Sequence, residues 1–291
     1  MQLDCARSGI PASDVKACWI AHPTSFRPTV HIGIIENAPA GPPADAGAHY
    51  CEYAHVPRLP WQVPRRRRMP IQDLPVIPEI AVMPVPNGII ELFWTEQRRS
   101  VSGGTSDLSF RVGQEVRSQL ANELAALCGA SEGFRPLGFK FDAPGLLTVT
   151  VDEAGRRIGL HVDSWFGAGC TERDRRPNRI SVNLGPGTRH LLVVPQSRAL
   201  WQATPDKEAA EAVFDFFSTD SVRTCLAVAV PPGHAYVAST EAYVHDASTV
   251  GDDRGTLTFT LVGDLAPWSV NPSDWSASEM IENVPGDESH G

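Results

Sequence analysis

Apolar and polar residues alternate over much of the second half of the chain. The longest example lies between residues 254 and 262, where Leu257, Phe259 and Leu261 alternate with threonines. A period of two predicts a strand with one apolar and one polar face. Shorter runs predict further strands at 146–151, 157–163, 179–184, 191–195, 225–230, 236–238 and 243–249. Short strands at this spacing indicate an antiparallel sandwich or jelly roll.

Two segments carry the periodicity of a helix instead. Between 112 and 128 the apolar residues fall on one face, and Gly129 supplies a stop signal. Residues 206–218 have a similar apolar side and predict a short helix between strands. Strands are also predicted at 29–35 and 88–94 in the first half of the chain.

Proline shapes one stretch of the first half. Residues 56–86 contain too much proline for central strands, and we predict extended chain that wraps over the surface. The arginine run at 65–68 lies in this stretch. We interpret it as a solvated loop rather than a phosphate or partner contact.

Composition supports a β-rich single domain. The 291 residues include 24 Gly and 25 Pro, which favours many turns over a helical bundle. We expect one catalytic domain over 1–291, with a jelly-roll core at 139–264. Residues 1–135 are expected to pack on that core and to form part of the substrate pocket. The acidic tail 267–291 is expected to be flexible.

Charge and hydropathy narrow the classes of partner. The formal net charge of −9 disfavours a nucleic-acid partner, and no apolar stretch is long enough for a membrane helix. The N-terminus shows no secretory signal, and the six cysteines include no CxxC pair. We therefore expect a cytoplasmic protein with a small-molecule substrate; the oligomeric state stays open.

The first candidate chemistry is the tripeptide His161-Val162-Asp163. On a strand, residues two apart face the same side, so the imidazole and the carboxylate leave the sheet together. His245 lies in another predicted strand, at 243–249. Two His and one carboxylate leave coordination positions open, as non-haem Fe(II) oxygen chemistry requires. The sequence therefore predicts a metal site built from His161, Asp163 and His245.

A polar face on the strand at 254–262 adds a candidate anion site. Arg254 shares this face with Thr256, Thr258 and Thr260. Polar side chains in such a row are expected to line a polar cavity. The Arg254 guanidinium can bind a carboxylate with two hydrogen bonds, and Thr256 can add another.

The order His161-x-Asp163, then His245, then Arg254-x-Thr256 resembles the Fe(II)/2-oxoglutarate-dependent oxygenases. That family has a double-stranded β-helix core, of the jelly-roll or cupin-like kind. The resemblance implies a mainly β fold with flanking helices, and it covers 139–264. Thr256 stands where the family more often has Ser.

The resemblance implies a role for each of these residues. His161, Asp163 and His245 would hold Fe(II), and 2-oxoglutarate would chelate that ion. Arg254 and Thr256 would bind the far carboxylate of this co-substrate. Dioxygen would be the second co-substrate, with ascorbate as a candidate reductant. The implied reaction is hydroxylation, with desaturation and cyclisation as variants.

Three further residues are secondary candidates. Asn183 shares a strand face with Arg179 and Ser181 and is predicted to hydrogen-bond the co-substrate. Trp165 lies two residues beyond the carboxylate, and Arg189 follows the turn at 185–187; both are candidate substrate contacts. The Lys-poor composition indicates GC-rich bacterial coding. The expected substrate is an amino acid or a peptide-derived natural product of bacterial secondary metabolism.

Two other classes stay open. A cupin-type metalloenzyme would use the same ligands without 2-oxoglutarate, and so would need no clamp at Arg254 and Thr256. A non-enzymatic jelly-roll binding module would use His161 and Asp163 as an ordinary hydrogen-bonded pair. Acids elsewhere near the motif, such as Asp246, are predicted to be solvated loop residues.

Overall fold

The computed structural model describes residues 30–37, 49–58, 80–101, 114–127, 134–163, 179–194, 197–218 and 224–263. Its elements in chain order are β1 (Val30–Asn37), β2 (Tyr50–Pro57), β3 (Ala81–Pro84), α1 (Asn87–Val101), α2 (Gln114–Leu127), β4 (Arg135–Asp142), β5 (Arg157–Gly159), β6 (Arg179–Pro186), β7 (Arg189–Val193), α3 (Ser197–Ala203), α4 (Ala209–Ser218), β8 (Thr224–Val230), β9 (His234–Ala238), β10 (His245–Ser248) and β11 (Thr256–Val262). The described chain is therefore mainly β with few helices.

The strands form two sheets. The six-stranded sheet has the order β10-β7-β8-β1-β2-β5, and the five-stranded sheet has the order β3-β9-β6-β11-β4. Neighbouring strands are antiparallel throughout, except that β2 and β5 are parallel. The edges of the larger sheet are thus β10 and β5, and both lead to the candidate site.

The two sheets pack face to face over an apolar core. Leu191 and Val193 of β7 and Val228 of β8 belong to one buried cluster with Val82 of β3 and Tyr236 of β9. Removing these side chains from water stabilises the contact between the sheets. Residues that alternate inward from both sheets therefore meet in one interior space.

Helices cover the outer faces of both sheets. Phe93 of α1 and Leu124 of α2 pack with Phe259 of β11 on the five-stranded sheet. Phe216 of α4 packs against Leu192 of β7 on the six-stranded sheet. Each sheet therefore has one face under helices and one face turned to the other sheet.

Most of the predicted elements are confirmed. The helices predicted at 112–128 and 206–218 correspond to α2 and α4. The strands predicted at 29–35 and those between 179 and 262 correspond to β1 and to β6 through β11. The amphipathic periodicity that defined these elements is the one that buries their apolar faces.

The strand predicted at 88–94 is wrong, because this segment is the first half of α1. Ile89 and Phe93, four residues apart, are the buried residues that pack on the five-stranded sheet. The Ile89 N–H donates to the Pro86 carbonyl at 3.0 Å and begins the first turn. A short continuous apolar run does not distinguish a strand from a buried helix.

The strand predicted at 146–151 is also wrong, since this segment is irregular apart from one isolated bridge. Its backbone makes isolated bonds rather than a strand ladder: the Ile158 and Thr249 N–H groups donate to Thr150 O and Leu146 O, and side chains satisfy several other groups. Thr249 Oγ1 accepts from the Leu146 N–H at 2.9 Å, and Asp246 Oδ1 accepts from the Thr150 N–H at 3.3 Å. Such side-chain bonds compete with the ladder of a sheet.

Several predictions lie outside the described residues. They concern the arginine run at 65–68, most of the proline-rich stretch and the acidic tail at 267–291. Of its described ends, Val56 and Pro57 are the last residues of β2, a strand inside the larger sheet, which the prediction of no central strand did not expect. The other end forms β3, an edge strand, where proline is tolerated. Among the helices of the described ranges, none combines the length and the apolar character needed to cross a membrane.

Candidate metal centre

The strand predicted at 157–163 is shorter than expected, since β5 ends at Gly159 and leaves His161 and Asp163 two and four residues beyond it. Gly159 ends that strand with a φ of +72°, and a Cβ atom there would lie 2.5 Å from the backbone oxygen of His55, so the position requires glycine. Two residues later, His161 pairs with His245 at the start of β10. The His161 N–H donates to His245 O at 2.9 Å, and the His245 N–H donates to His161 O at 2.7 Å. This pair joins the two edges of the six-stranded sheet.

The structure brings the three predicted ligands together. One ligand atom from each of His161, Asp163 and His245 lies within 4.8 Å of the other two. His161 Nε2 is 3.7 Å from Asp163 Oδ1, and His245 Nε2 is 3.6 Å from Asp163 Oδ2. Donor atoms that share one metal ion, at about 2.1 Å from each, are separated by roughly 3 to 4 Å. The observed separations are close to these values.

Backbone hydrogen bonds orient both imidazoles. His161 Nδ1 is 2.9 Å from Gly159 O, and His245 Nδ1 is 2.9 Å from Tyr243 O. A carbonyl oxygen only accepts, so each Nδ1 carries the proton in the neutral ring and each Nε2 keeps its lone pair. Both lone pairs are on the side of the ring that approaches Asp163.

Burial and neighbouring charges set the ionisation of the site. Burial lowers the pKa of His245 to about 3, so this imidazole is neutral at physiological pH. Burial alone would raise the pKa of Asp163, but the neighbouring His245 and His161 imidazoles and the Arg179 guanidinium hold it well below its usual range. Arg179 Nη2 lies 3.3 Å from Asp163 Oδ2. The carboxylate is therefore ionised.

These residues fit a divalent transition metal. The His245 side chain is 3% exposed, and its Nε2 atom has no hydrogen-bond partner within the part of the chain that the structure describes. A buried nitrogen of this kind is costly unless something binds it. Neutral imidazole nitrogens with one carboxylate form the donor set of the facial triad.

Arg254 does not reach this site, which corrects the sequence-based expectation. β11 begins at Thr256, so Arg254 precedes the strand and its side chain is 58% exposed. Its guanidinium binds Asp252, with Nε–Oδ1 and Nη2–Oδ2 distances of 3.0 and 3.1 Å. A carboxylate two residues earlier in the same turn thus holds the guanidinium at the surface.

The polar face of β11 does turn inward, as predicted. Thr256 and Thr258 are buried, while Leu257, Phe259 and Leu261 lie in the core under α1 and α2. The inward position of Thr256 places it beside charged groups of other strands rather than beside Arg254.

These charged groups come from β4 and β7. Arg189 Nη1 hydrogen-bonds the buried Asp142 carboxylate and lies 3.5 Å from Thr256 Oγ1. Lys140 Nζ is 3.2 Å from Asp142 Oδ1 and donates to Val149 O at 2.7 Å. Two cations therefore flank one buried carboxylate: Arg189 is buried with it, and the Lys140 side chain is 42% exposed.

The secondary candidates have different outcomes. Asn183 does not fit a co-substrate contact, because its amide donates to Gly187 O and Val230 O and accepts from the Gly185 N–H. Arg189 faces the interior and its side chain is 8% exposed, so it is not a solvated residue near the turn. Trp165 lies outside the described residues.

Sequence reasoning missed two residues near the triad. Arg179 shares a period-two polar face with Ser181 on β6, and that pattern was the available signal. Asp246 was predicted to be solvated, which is wrong: its side chain is 0% exposed and it bonds the Thr150 N–H and hydroxyl. The position of Asp246 next to His245 in the sequence indicates that it lies near the triad, but it does not indicate that its side chain is buried.

Comparison with known proteins adds a distant likeness. No protein-family model matches the chain, and no curated protein matches it. Two solved structures that it resembles are of the Kdo hydroxylase KdoO, described as a non-heme Fe(II) alphaketoglutarate dependent dioxygenase, one with cobalt(II) and one with alphaketoglutarate and Fe(III). Each is 13% identical, with a TM-score of 0.34, over 66% of this chain and 83% of the other. A TM-score of this size carries no conclusion about function, which rests on the residues of this chain.

Proposed function

We propose that the protein is a non-haem Fe(II) oxygenase that uses 2-oxoglutarate and dioxygen to hydroxylate a small molecule. The observation that carries this proposal is the convergence of His161, Asp163 and His245, with both Nε2 atoms on the Asp163 side. Such a triad leaves three coordination positions open. The two facing sheets support a double-stranded β-helix as the core that holds these ligands.

In this proposal, His161 Nε2, Asp163 and His245 Nε2 hold the ion. Bound Fe(II) with a 2-oxo acid supplies the oxidising chemistry, in which dioxygen is reduced, the 2-oxo acid is decarboxylated and one oxygen atom enters a C–H bond. Arg179 keeps Asp163 ionised and oriented through their 3.3 Å contact. The three ligand side chains are 3–17% exposed, which limits the access of water and favours a small substrate.

Arg189 and Thr256 are the proposed clamp for the far carboxylate of 2-oxoglutarate. The Arg189 Nε atom is buried and has no hydrogen-bond partner among the described residues, so donors remain after the bond to Asp142. Lys140, Asp142 and Arg189 together carry one net positive charge when ionised. A second carboxylate would neutralise that charge, and guanidinium is the group best suited to bind it.

A cupin-type metalloenzyme without a 2-oxo acid is the second candidate. The observation in its favour is the exposed position of Arg254, the residue expected to mark the co-substrate site. The two candidates share the metal ligands and differ in whether a 2-oxo acid binds to the ion.

An anaerobic titration tests the proposal. Fe(II) and 2-oxoglutarate are added to the full-length protein, and the visible charge-transfer band of the chelate is recorded. We expect a band with the wild-type protein and its loss in His161→Ala, because one of the three ligands is removed. Thermal unfolding of the variant verifies that it is folded.

The same titration separates the alternatives. Binding of Co(II) without any charge-transfer band on addition of 2-oxoglutarate and Fe(II) would favour the cupin type. An undiminished band in folded His161→Ala would contradict the proposed ligands. If the protein binds neither Co(II) nor Fe(II), the result would favour the non-enzymatic binding module.

A further inference from the structure

Asp246 is a buried carboxylate that the proposed function does not use. It lies on the edge strand β10 directly after His245, yet its side chain is 0% exposed. One oxygen, Oδ1, accepts hydrogen bonds from the N–H groups of Val149, Thr150 and Ala247 and from the Thr150 hydroxyl, at 2.6 to 3.4 Å. These donors fix the plane and the position of the carboxylate.

The second oxygen of Asp246 faces His161. Oδ2 is buried, has no hydrogen-bond partner within the ranges that the structure describes, and lies 3.8 Å from His161 Nδ1. This nitrogen carries the proton that His161 donates to Gly159 O. A carboxylate oxygen therefore lies beside the N–H side of the ring, while Nε2 is turned to Asp163.

A carboxylate in this place has a known physical effect on a metal-binding imidazole. It stabilises the Nδ1–H tautomer, restricts rotation of the ring and makes the other nitrogen a better electron donor. A purely structural anchor for the segment 146–151 would need only Oδ1. Anchoring of the segment 146–151 therefore does not explain why the second oxygen, Oδ2, is buried next to His161.

We propose that Asp246 is a positioning residue for the metal centre, and that it tightens metal binding by fixing and polarising His161. The inference rests on the proposed function, because it requires His161 to be a ligand. Asp246 acts through His161 and contacts neither substrate nor co-substrate in this proposal.

The test compares three variants of the full-length protein by Co(II) titration. Asp246→Asn keeps the oxygen that accepts the four hydrogen bonds and removes the charge beside His161. We expect its Kd for Co(II) to rise about tenfold or more, the usual effect of losing such a partner. Asp246→Ser also lacks the charge and should raise the Kd in the same direction. Thr150→Val is the matched control, because it removes one bond to Oδ1 and leaves the charge.

Thr150→Val should lower the melting temperature while its Kd for Co(II) stays within about twofold of wild type, since the Asp246 carboxyl group is still present beside His161. A second readout is the proton spectrum of the Co(II) protein. The exchangeable Nδ1–H signals of the two ligand imidazoles are strongly shifted by the ion. In Asp246→Asn we expect one signal to move or to exchange faster with water, while the other stays in place.

The outcomes are distinguishable from those of the proposed function. Wild-type affinity in Asp246→Asn and Asp246→Ser, with binding lost in His161→Ala, would overturn the inference and leave the metal centre standing. Equal losses of affinity in Asp246→Asn and Thr150→Val would also overturn it, because anchoring of 146–151 alone predicts that result. Co(II) binding that survives His161→Ala would remove the metal centre and the inference with it.

Discussion

The buried guanidinium of Arg189 keeps N–H donors that its observed contacts do not use. Its Nη1 contacts Asp142 and Thr256, and its Nε has no hydrogen-bond partner in the described part of the chain. Guanidinium has five N–H donors in a fixed plane, so one bound carboxylate does not saturate it. Lysine retains the charge but lacks this planar fork.

We therefore expect Arg189→Lys to raise the KM for 2-oxoglutarate about tenfold or more, with a smaller change in kcat. A charge-assisted hydrogen bond contributes about 1.5–3 kcal/mol, which corresponds to at least tenfold in affinity. Initial rates of 2-oxoglutarate consumption at varied co-substrate concentration measure this. Arg254→Ala is the control, and its KM should stay within about twofold of wild type because that guanidinium binds Asp252 at the surface. A large KM increase in Arg254→Ala alone would refute the assignment.

The residues of the site differ in how far sequence predicts them. His161 and Asp163 are recognisable from their spacing, and Thr256 from the alternation of β11. The prediction that Arg254 lies on the inner face of this strand is wrong, because alternation does not tell where a strand begins. The Asp252 carboxylate, two residues away in the turn, competes for its guanidinium, and this competition is local geometry that periodicity does not contain.

At the scale of elements, α1 and α2 differ most clearly in how well the sequence predicts them. Polar residues interrupt the apolar positions of α2 at helical spacing, so its pattern predicts a helix. The first half of α1 is almost continuously apolar, and only its contacts with the five-stranded sheet identify it as a helix. The strand predicted at 146–151 is wrong for a related reason, because side chains in β10 and directly after it, from a distant part of the chain, bind the backbone of this segment.

Phe93 tests how α1 is held on the sheet. It is 0% exposed, and its ring centroid lies 5.0 Å from that of Trp94 and 5.0 Å from that of Phe139. We expect Phe93→Ala to lower the free energy of unfolding by about 3–5 kcal/mol, through lost burial and the cavity it leaves. Urea denaturation measures the change.

Glu91 provides the matched control on the same helix, because its side chain is exposed. Glu91→Ala should change the free energy of unfolding by no more than about 0.5 kcal/mol. Similar losses in both variants would show that the helix is not held by Phe93.

For the whole molecule, the candidate metal centre connects regions that are distant in sequence. His161 and Asp163 follow β5, while His245 begins β10 at the other edge of the six-stranded sheet. Unfolding separates these ligands, so an ion binds the folded chain in preference to the unfolded one. Binding of this kind stabilises the fold by mass action.

Metal addition should therefore raise the melting temperature. At a Co(II) concentration of about 100 times the Kd, the gain is about 2.7 kcal/mol, or about 5 °C for a chain of this size. Circular dichroism melts with and without Co(II) measure the shift. His245→Ala should show no rise, and an equal rise in that variant would place the ion elsewhere.

The arrangement of the sheets was only partly predictable. Alternation along the chain indicates a mainly β fold, because each strand reports which of its faces is buried. The order of the strands depends on pairing between distant segments, such as β1 with β8 and β5 with β2. Their register is set by tertiary contacts, and local periodicity carries no information about the partner.

The backbone pair between His161 and His245 has a second consequence, for solubility. Edge strands with unpaired N–H and C=O groups are templates on which other chains can add strands and aggregate. Here the two edges of the six-stranded sheet bind each other at the same two residues whose side chains form the candidate metal centre. Side-chain substitutions at these positions leave that protection in place, whereas a proline at either one would remove a donor from the pair and expose part of both edges.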